Sequence, residues 1–154
     1  MIFWRICREA RARTAFDGEG ARLNPGRWNH ANVPIVYCSS SVSLASLEVL
    51  VHVDFDDLPD DLVKIRVELP DALTVERIDA ATLSKNWRAY PGPVELQDLG
   101  SAWVASGRSV ALLVPSAVTP IENNVLLNPR HPEIAQLLQS PPEPFEFDSR
   151  LGRK

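Results

Sequence analysis

The chain has 154 residues, of which 45% are hydrophobic and 23% charged, which is the size and composition of one ordinary globular domain. The chain has sixteen Lys and Arg and twenty Asp and Glu, which gives a formal net charge of −4. The exception to this acidic balance is a short basic end formed by Arg150, Arg153 and Lys154. Sequence-independent binding of nucleic acid needs a basic face that displaces counterions. The composition therefore argues against nucleic acid as a direct ligand.

The first residues, MIFWR, lack the basic start and apolar stretch of a secretory signal. No apolar run reaches the roughly eighteen residues that a membrane-spanning helix needs. The two cysteines, Cys7 and Cys38, fall in apolar, strand-like runs. We therefore expect a cytoplasmic protein without a membrane segment, in which both thiols are buried and reduced.

The first third of the chain predicts two strands and a helix. The strands are expected at 2–7 and 33–38, separated by a polar, glycine-containing loop at 8–26. Ser39 to Ser41 offer an N-cap to a helix over 42–53. Because that helix is apolar nearly all round, it is predicted to be buried.

The remainder of the chain begins with an aspartate-rich stretch, 54–61, which we interpret as a solvated loop because its acids lack a metal-ligand spacing. A helix is predicted at 93–106, with Gly107 placed to end it. Helices and strands are interspersed without regular alternation, so the class is α+β and one domain spans 1–154. Further strands are predicted at 62–69, 73–78, 109–114, 121–127 and 143–147.

Glu48 is the single acid in the apolar helix. An ionised carboxylate in such surroundings is costly unless it is paired or hydrogen-bonded. One interpretation is a structural glutamate at the helix edge, capped by His52 or Arg27. The other is a carboxylate that lines a cleft, where it binds a sugar hydroxyl or stabilises a developing cation.

Arg27 and Tyr37 lie upstream in the same strand-helix unit. Arg27 follows Gly26 in a loop whose glycine lets the backbone approach a ligand, and its planar fork suits phosphate and carboxylate. Tyr37 alternates with apolar neighbours on its strand, so its ring either packs in the core or stacks on a ligand.

Polar residues also follow the strand predicted at 109–114. Ser116 ends this segment in LLVPSAV, and the absence of a G-x-S-x-G elbow argues against a nucleophilic serine. Asn124 and Asn128 either form turns or hydrogen-bond a ligand. No metal site is predicted, because the three histidines share no ligand spacing, and no phosphate-binding glycine motif is present.

Several segments together resemble the RES-domain toxins of bacterial RES–Xre toxin–antitoxin pairs, a family named for an arginine, a glutamate and a serine. The resemblance runs from Trp4 to about Pro132. It is carried by GEGARLNPGRWN, IVYCSSSVSLASLEVLVH, LQDLGSAWVASG, LLVPSAVTPIENNVLLNP and the following RHP.

The resemblance identifies the family's named residues with Arg27, Glu48 and Ser116, and Tyr37 with its aromatic site residue. It implies a diphtheria-toxin-type ADP-ribosyltransferase fold and an enzyme that consumes NAD⁺, with no cofactor beyond that substrate. It also implies a helix-turn-helix antitoxin of the Xre type, which covers the active site in a hetero-oligomer. Further candidate substrate-binding residues are Asn124, Asn128 and Trp28.

The implied reaction gives each residue a task. Cleavage of the nicotinamide–ribose bond passes through an oxocarbenium-like state, which Glu48 would stabilise. Arg27 would hold the diphosphate or a ribose, Tyr37 would stack on nicotinamide, and Ser116 with an asparagine would orient the dinucleotide. The acceptor stays open between water or inorganic phosphate, which degrade NAD⁺, and a specific protein side chain, which becomes ADP-ribosylated. A non-catalytic nucleotide- or partner-binding module is the third alternative.

Overall fold

A computed structural model of the protein describes residues 1–152, so Arg153 and Lys154 of the basic end lie outside the described residues. Its strands are β1 (Ile2–Arg8), β2 (Val36–Ser39), β3 (Leu62–Glu68), β4 (Val75–Arg77), β5 (Ala111–Pro115), β6 (Asn123–Leu127), β7 (Leu138–Gln139) and β8 (Glu143–Pro144). The α-helices are α1 (Glu19–Leu23), α2 (Val42–Leu50) and α3 (Val94–Ser106). Short 3₁₀ helices cover Glu9–Thr14, Phe55–Asp57, Ala80–Thr82, Pro132–Gln136 and Ser149–Gly152.

All of these strands belong to one sheet, in the order β4-β5-β6-β2-β1-β3-β7, with β8 also paired to β3. Within residues 1–152 the neighbours pair antiparallel, except for β4 and β5, which are parallel. The α+β prediction is confirmed. The central strands β6, β2 and β1 support the candidate site, and Ser39 lies opposite both Trp4 and Asn124 in the register.

The two faces of the sheet form separate apolar clusters. Side chains alternate across a strand, so neighbours on β6 point to opposite faces. Val125 belongs to one buried cluster with Phe3 and Val67, whereas Leu126 belongs to the other with Trp103 and Val114. Helix α3 covers the second face, which is also the face that presents Tyr37 and Asn124.

The predicted elements are recovered with shifted ends, but the 8–26 segment is not simply a loop. It contains the 3₁₀ helix at Glu9–Thr14 and helix α1. Both helices are only five or six residues long and mix charged with small residues, so the sequence shows no apolar period there. The strand β7 is two residues long, too short to show a pattern, and β8 covers only the first two residues of the strand predicted at 143–147.

The two cysteines are free thiols, Cys38 buried and Cys7 half-buried. Burial raises the pKa of both, that of Cys38 to about 12, with a partial opposing effect from Arg5. Among residues 1–152, no helix combines the length and the apolar character that crossing a bilayer requires.

Helix α2 differs from the prediction in both length and burial. It ends at Leu50, and only Leu44 and Ala45 within it are buried. Leu47 is 37% exposed and Val51, just beyond the helix, is 55% exposed. The prediction of an all-round buried helix was wrong because α2 packs by one side on β1 and β2 and leaves the other side open.

Helix α3 packs closely against the loop that carries Arg27. Gly107 adopts a left-handed φ of 57° and ends the helix as predicted. Gly100 faces the loop so closely that a Cβ there would lie 1.9 Å from the carbonyl oxygen of Trp28. The helix and the loop therefore touch through backbone atoms.

This contact predicts that Gly100→Ala destabilises the fold. The added methyl group meets backbone and cannot be accommodated by a rotamer change, so the free energy of unfolding should fall by about 1–3 kcal/mol or more. Gly20→Ala is the matched control, because nothing lies within 4 Å of a Cβ there. Its helical position predicts a neutral or slightly stabilising change. Urea unfolding of both variants checks the prediction, and equal midpoints would contradict the close approach.

Candidate active site

The Glu48 carboxylate is held by two side chains from distant parts of the chain. Its Oε1 accepts hydrogen bonds from Ser116 Oγ at 2.8 Å and from Asn124 Nδ2 at 2.6 Å. Within residues 1–152, Oε2 accepts none, and neither His52 nor Arg27 caps the carboxylate. One oxygen is thus fixed in place while the other is left to interact with a ligand.

The Ser116 hydroxyl is oriented by the backbone that follows it. Its oxygen accepts the amide hydrogens of Val118 at 3.1 Å and Thr119 at 3.2 Å. With both lone pairs engaged, the hydroxyl hydrogen is directed at Glu48. Ser116 is completely buried, so in this structure its contact within the site is with the carboxylate.

Asn124 reaches Glu48 from the central strand β6. Its Oδ1 accepts a hydrogen bond from Ser39 Oγ at 2.8 Å, which leaves its amide group pointing to the carboxylate. Ser41 is the N-cap of helix α2, and its hydroxyl oxygen accepts the amide hydrogen of Leu44 at 3.0 Å, as the sequence predicted. The end of β2, the start of α2 and β6 therefore fix Glu48 together.

Arg27 lies on the other side of the site, in the loop before β2. Its Nη1 donates to the carbonyl oxygens of Trp87 at 2.6 Å and Ala89 at 3.0 Å. Partial burial lowers the pKa of Arg27, and the nearby negative charge of Glu48 acts in the opposite direction. Since Nη1 is occupied, the edge formed by Nε and Nη2 is the part of the guanidinium available to an anion.

Tyr37 connects this loop to the sheet. Its hydroxyl donates to Asn29 Oδ1 at 2.7 Å and accepts the backbone amide hydrogen of Trp28 at 3.0 Å. Burial raises the pKa of Tyr37 far above its usual value, so the phenol stays protonated at neutral pH. On the opposite face of the sheet, Arg5 Nη1 donates to the Tyr37 carbonyl oxygen.

Of the residues proposed from the sequence, Arg27, Tyr37, Glu48, Ser116 and Asn124 come together. The other two are placed in the packing around them. Trp28 is 2% exposed in the apolar cluster beneath α3. Asn128 is 2% exposed, and its side chain donates to the carbonyl of Val104 and accepts the amide hydrogen of Arg130.

Two features of the site had no signal in the sequence. Asn29 is completely buried and bonds the Tyr37 hydroxyl, but an asparagine in a glycine-proline loop looks like a turn residue. The contacts from Trp87 and Ala89 to Arg27 use backbone carbonyls, which any residue type could supply.

Two surface cavities lie outside this group. One of about 290 Å³ is lined by the aromatic residues Phe55, Phe145 and Phe147, and one of about 170 Å³ is lined by Arg77, Ile121 and their neighbours. Across the described 152 residues, no three His, Cys, Asp or Glu side chains converge to hold a metal ion.

The Asn124 contact predicts a selective loss of function. Asn124→Ala should lower turnover of the substrate about tenfold, because Glu48 loses one of the two groups that orient it. Asn123→Ala is the matched control. The Asn123 side chain, next to Asn124 on β6, points to the other face of the sheet and forms no hydrogen bond within residues 1–152. Steady-state kinetics of the two folded variants checks this. Equal activities would show that the hydrogen bond to Glu48 is dispensable.

This chain shares its fold with one chain of a toxin–antitoxin complex. A chain of the M. tuberculosis MbcT–MbcA complex superposes with a TM-score of 0.72 at 20% sequence identity, covering 94% of this chain and 83% of that one. At this identity the likeness shows a common fold. The chain belongs to the RES domain family, whose model matches residues 2–148.

Relatives cover nearly the whole chain. A protein of Yersinia enterocolitica named "Toxin Res" is 38% identical over 152 residues, spanning 98% of this chain and 99% of the relative. A "Toxin Res" of Pseudomonas putida is 40% identical over 154 residues, spanning 98% and 99%. A "Prs ADP-ribosylating toxin" of Sphingobium sp. is 38% identical over 156 residues, spanning 99% and 97%.

Proposed function

We propose that this RES-domain protein is the toxin of a toxin–antitoxin pair and that it cleaves the nicotinamide–ribosyl bond of NAD⁺. The observation that carries the proposal is the Glu48 carboxylate, fixed through Oε1 by Ser116 and Asn124 and free at Oε2 of any hydrogen bond from residues 1–152. The family match and the whole-length toxin relatives support it.

Cleavage of the nicotinamide–ribosyl bond is favoured by a negative charge beside the ribose. As the bond from C1′ to nicotinamide breaks, its electron pair leaves with the neutral nicotinamide and positive charge develops on the ribose. A preorganised carboxylate stabilises that charge more strongly in a partly buried site than in water. Oε2 of Glu48 supplies the charge, or accepts a ribose hydroxyl, while Ser116 and Asn124 keep the group from rotating away.

Arg27 and Tyr37 serve binding in this proposal. The free Nε–Nη2 edge of Arg27 matches two oxygens of a diphosphate, and the guanidinium is held by the carbonyls of Trp87 and Ala89 before the ligand arrives. The Tyr37 ring offers a face on which nicotinamide can stack. Ser116 acts as a positioning residue for Glu48, because its buried hydroxyl is used within the protein.

The acceptor of the ADP-ribosyl group distinguishes two forms of the activity. Water or inorganic phosphate gives free ADP-ribose or its phosphorylated form, which degrades NAD⁺. A protein side chain gives an ADP-ribosylated target instead. The name of the Sphingobium relative, "Prs ADP-ribosylating toxin", is the observation that favours this second form.

One experiment separates these outcomes. Purified protein is incubated with NAD⁺ labelled on the adenine side, with and without phosphate and with and without cell lysate. Label in ADP-ribose or in its phosphorylated form supports degradation, and label on a protein band supports transfer. Intact NAD⁺ in every arm, with folded protein, would contradict the proposed activity.

The proposed partner is an Xre-type antitoxin that covers the site. Helix α2 supports such a partner, because Leu47, next to Glu48, and Val51 are exposed apolar residues at the edge of the site. The solved complex with the shared fold is also a toxin–antitoxin complex. Adding the purified antitoxin should suppress NAD⁺ consumption, and an equally active complex would contradict a blocking partner.

A further inference from the structure

A second hydrogen-bond network lies beside the one that holds Glu48, and the two share no residue. Its centre is Asn29, which is 0% exposed. Asn29 Oδ1 accepts the backbone amide hydrogen of Gly26 at 2.9 Å and the Tyr37 hydroxyl hydrogen at 2.7 Å. The Nδ2 group donates to the carbonyl oxygens of Ala21, His30 and Val33 at 2.7, 3.1 and 3.1 Å.

This network holds the backbone on both sides of Arg27. The amide of Gly26, before it, is bonded to Asn29, and the amide of Trp28, after it, is bonded to the Tyr37 hydroxyl. The fit is close, because a Cβ on Gly26 would lie 2.8 Å from the Tyr37 hydroxyl oxygen. The Asn29–Tyr37 pair therefore holds both neighbours of Arg27, in addition to the hydrogen bond from Gln97 to the Gly26 carbonyl oxygen.

The same geometry limits what the Tyr37 hydroxyl can do. A phenol carries one hydrogen, and here that hydrogen is donated to Asn29. While this bond is present, Tyr37 has no hydrogen to give to a substrate. Its ring is partly buried against the apolar cluster beneath α3, and its hydroxyl anchors the loop through the Trp28 amide.

We propose that Asn29 is a positioning residue for Arg27, acting through the Gly26 amide and the Tyr37 hydroxyl. The proposal rests on the proposed function in that Arg27 binds the diphosphate of NAD⁺. It assigns the two networks to different steps: the Asn29 network sets ligand binding, and the Ser116–Asn124 network sets the cleavage step.

Steady-state kinetics of Asn29→Ala tests this division. Displacement of Arg27 should raise the KM for NAD⁺ about tenfold or more, with a much smaller fall in kcat per folded molecule. Asn124→Ala should show the reverse pattern. Asn24→Ala is the matched control, because Asn24 is exposed in the same loop and, among the described residues, its side chain forms no hydrogen bond. A merely structural role would reduce the folded fraction, lowering apparent kcat at constant KM, and that result overturns the proposal.

A spectroscopic readout tests the anchor without using NAD⁺. The chain has two tyrosines, so Tyr90→Phe leaves Tyr37 as the only phenol that can be titrated by its absorbance. The hydrogen bond to Asn29 stabilises the protonated phenol, so adding Asn29→Ala should lower the pH at which Tyr37 ionises. The titration is compared over the pH range in which both proteins stay folded. An unchanged ionisation midpoint of Tyr37 would contradict the hydrogen bond between its hydroxyl and Asn29, and with it the proposal.

Tyr37→Phe keeps the proposal testable if Asn29→Ala does not fold. This variant retains the ring and removes the hydroxyl that ties Trp28 to Asn29, so the KM for NAD⁺ should again rise more than kcat falls. An unchanged KM overturns the proposal. If the unmodified protein does not turn over NAD⁺, the proposed function fails, while the phenol titration still decides whether Asn29 holds Tyr37.

Discussion

Glu48→Gln is expected to lower NAD⁺ turnover about a hundredfold or more, the scale of loss found when one electrostatic element of a preorganised site is removed. The substitution isolates the charge, because a glutamine carbonyl oxygen can still accept the hydrogen bonds of Ser116 and Asn124. The fold should therefore survive with a similar unfolding midpoint. Turnover by purified protein, measured alongside thermal unfolding, checks both expectations.

Glu9→Gln is the matched control for this change. It removes the same charge from an exposed residue that follows the last residue of β1. The site lies towards the other end of that strand, where Trp4 pairs with Ser39. Its turnover should equal that of the unmodified protein. A folded Glu48→Gln protein with near-normal turnover would rule out an electrostatic role for Glu48.

Arg27→Ala is expected to abolish toxicity. Expression of the unmodified protein without its antitoxin should arrest growth and drain cellular NAD⁺, and loss of the diphosphate-binding fork should relieve both effects. Arg27→Lys keeps the charge but cannot offer two parallel hydrogen bonds, so it should restore toxicity only in part. Growth curves and NAD⁺ assays of the same cultures provide the measurement.

Arg13→Ala is the control in that experiment, because Arg13 is exposed and, as far as the chain is described, its side chain forms no hydrogen bond. It should remain as toxic as the parent. Growth arrest by the parent with unchanged NAD⁺ would point instead to modification of a protein target.

The acid of the site was visible in the sequence because it breaks an apolar pattern. A carboxylate among Leu, Val and Ala needs a physical reason, and Glu48 has one in its hydrogen bonds to Ser116 and Asn124. Apart from the two-residue β7, the sheet strands were visible for the related reason that apolar runs and alternation leave a period in the sequence.

The rest of the site leaves no such trace. How much of α2 is covered depends on where β1 and β2 lie beneath it, which the apolar content of the helix does not encode. The support of Arg27 by Trp87 and Ala89 comes from main-chain atoms in a segment without a pattern. Asn29 is set apart from an ordinary loop asparagine by its complete burial and by its hydrogen bonds to Gly26 and Tyr37, which only the folded structure shows.

The late position of Ser116 and β6 in the chain has a consequence for synthesis on the ribosome. A nascent chain that ends before Ser116 already contains Arg27, Tyr37 and Glu48, but it lacks both groups that orient the carboxylate. It also lacks the strand that pairs with β2 on one side and β5 on the other. We therefore expect no working site until β6 has emerged from the ribosome, so that incomplete chains should be inactive.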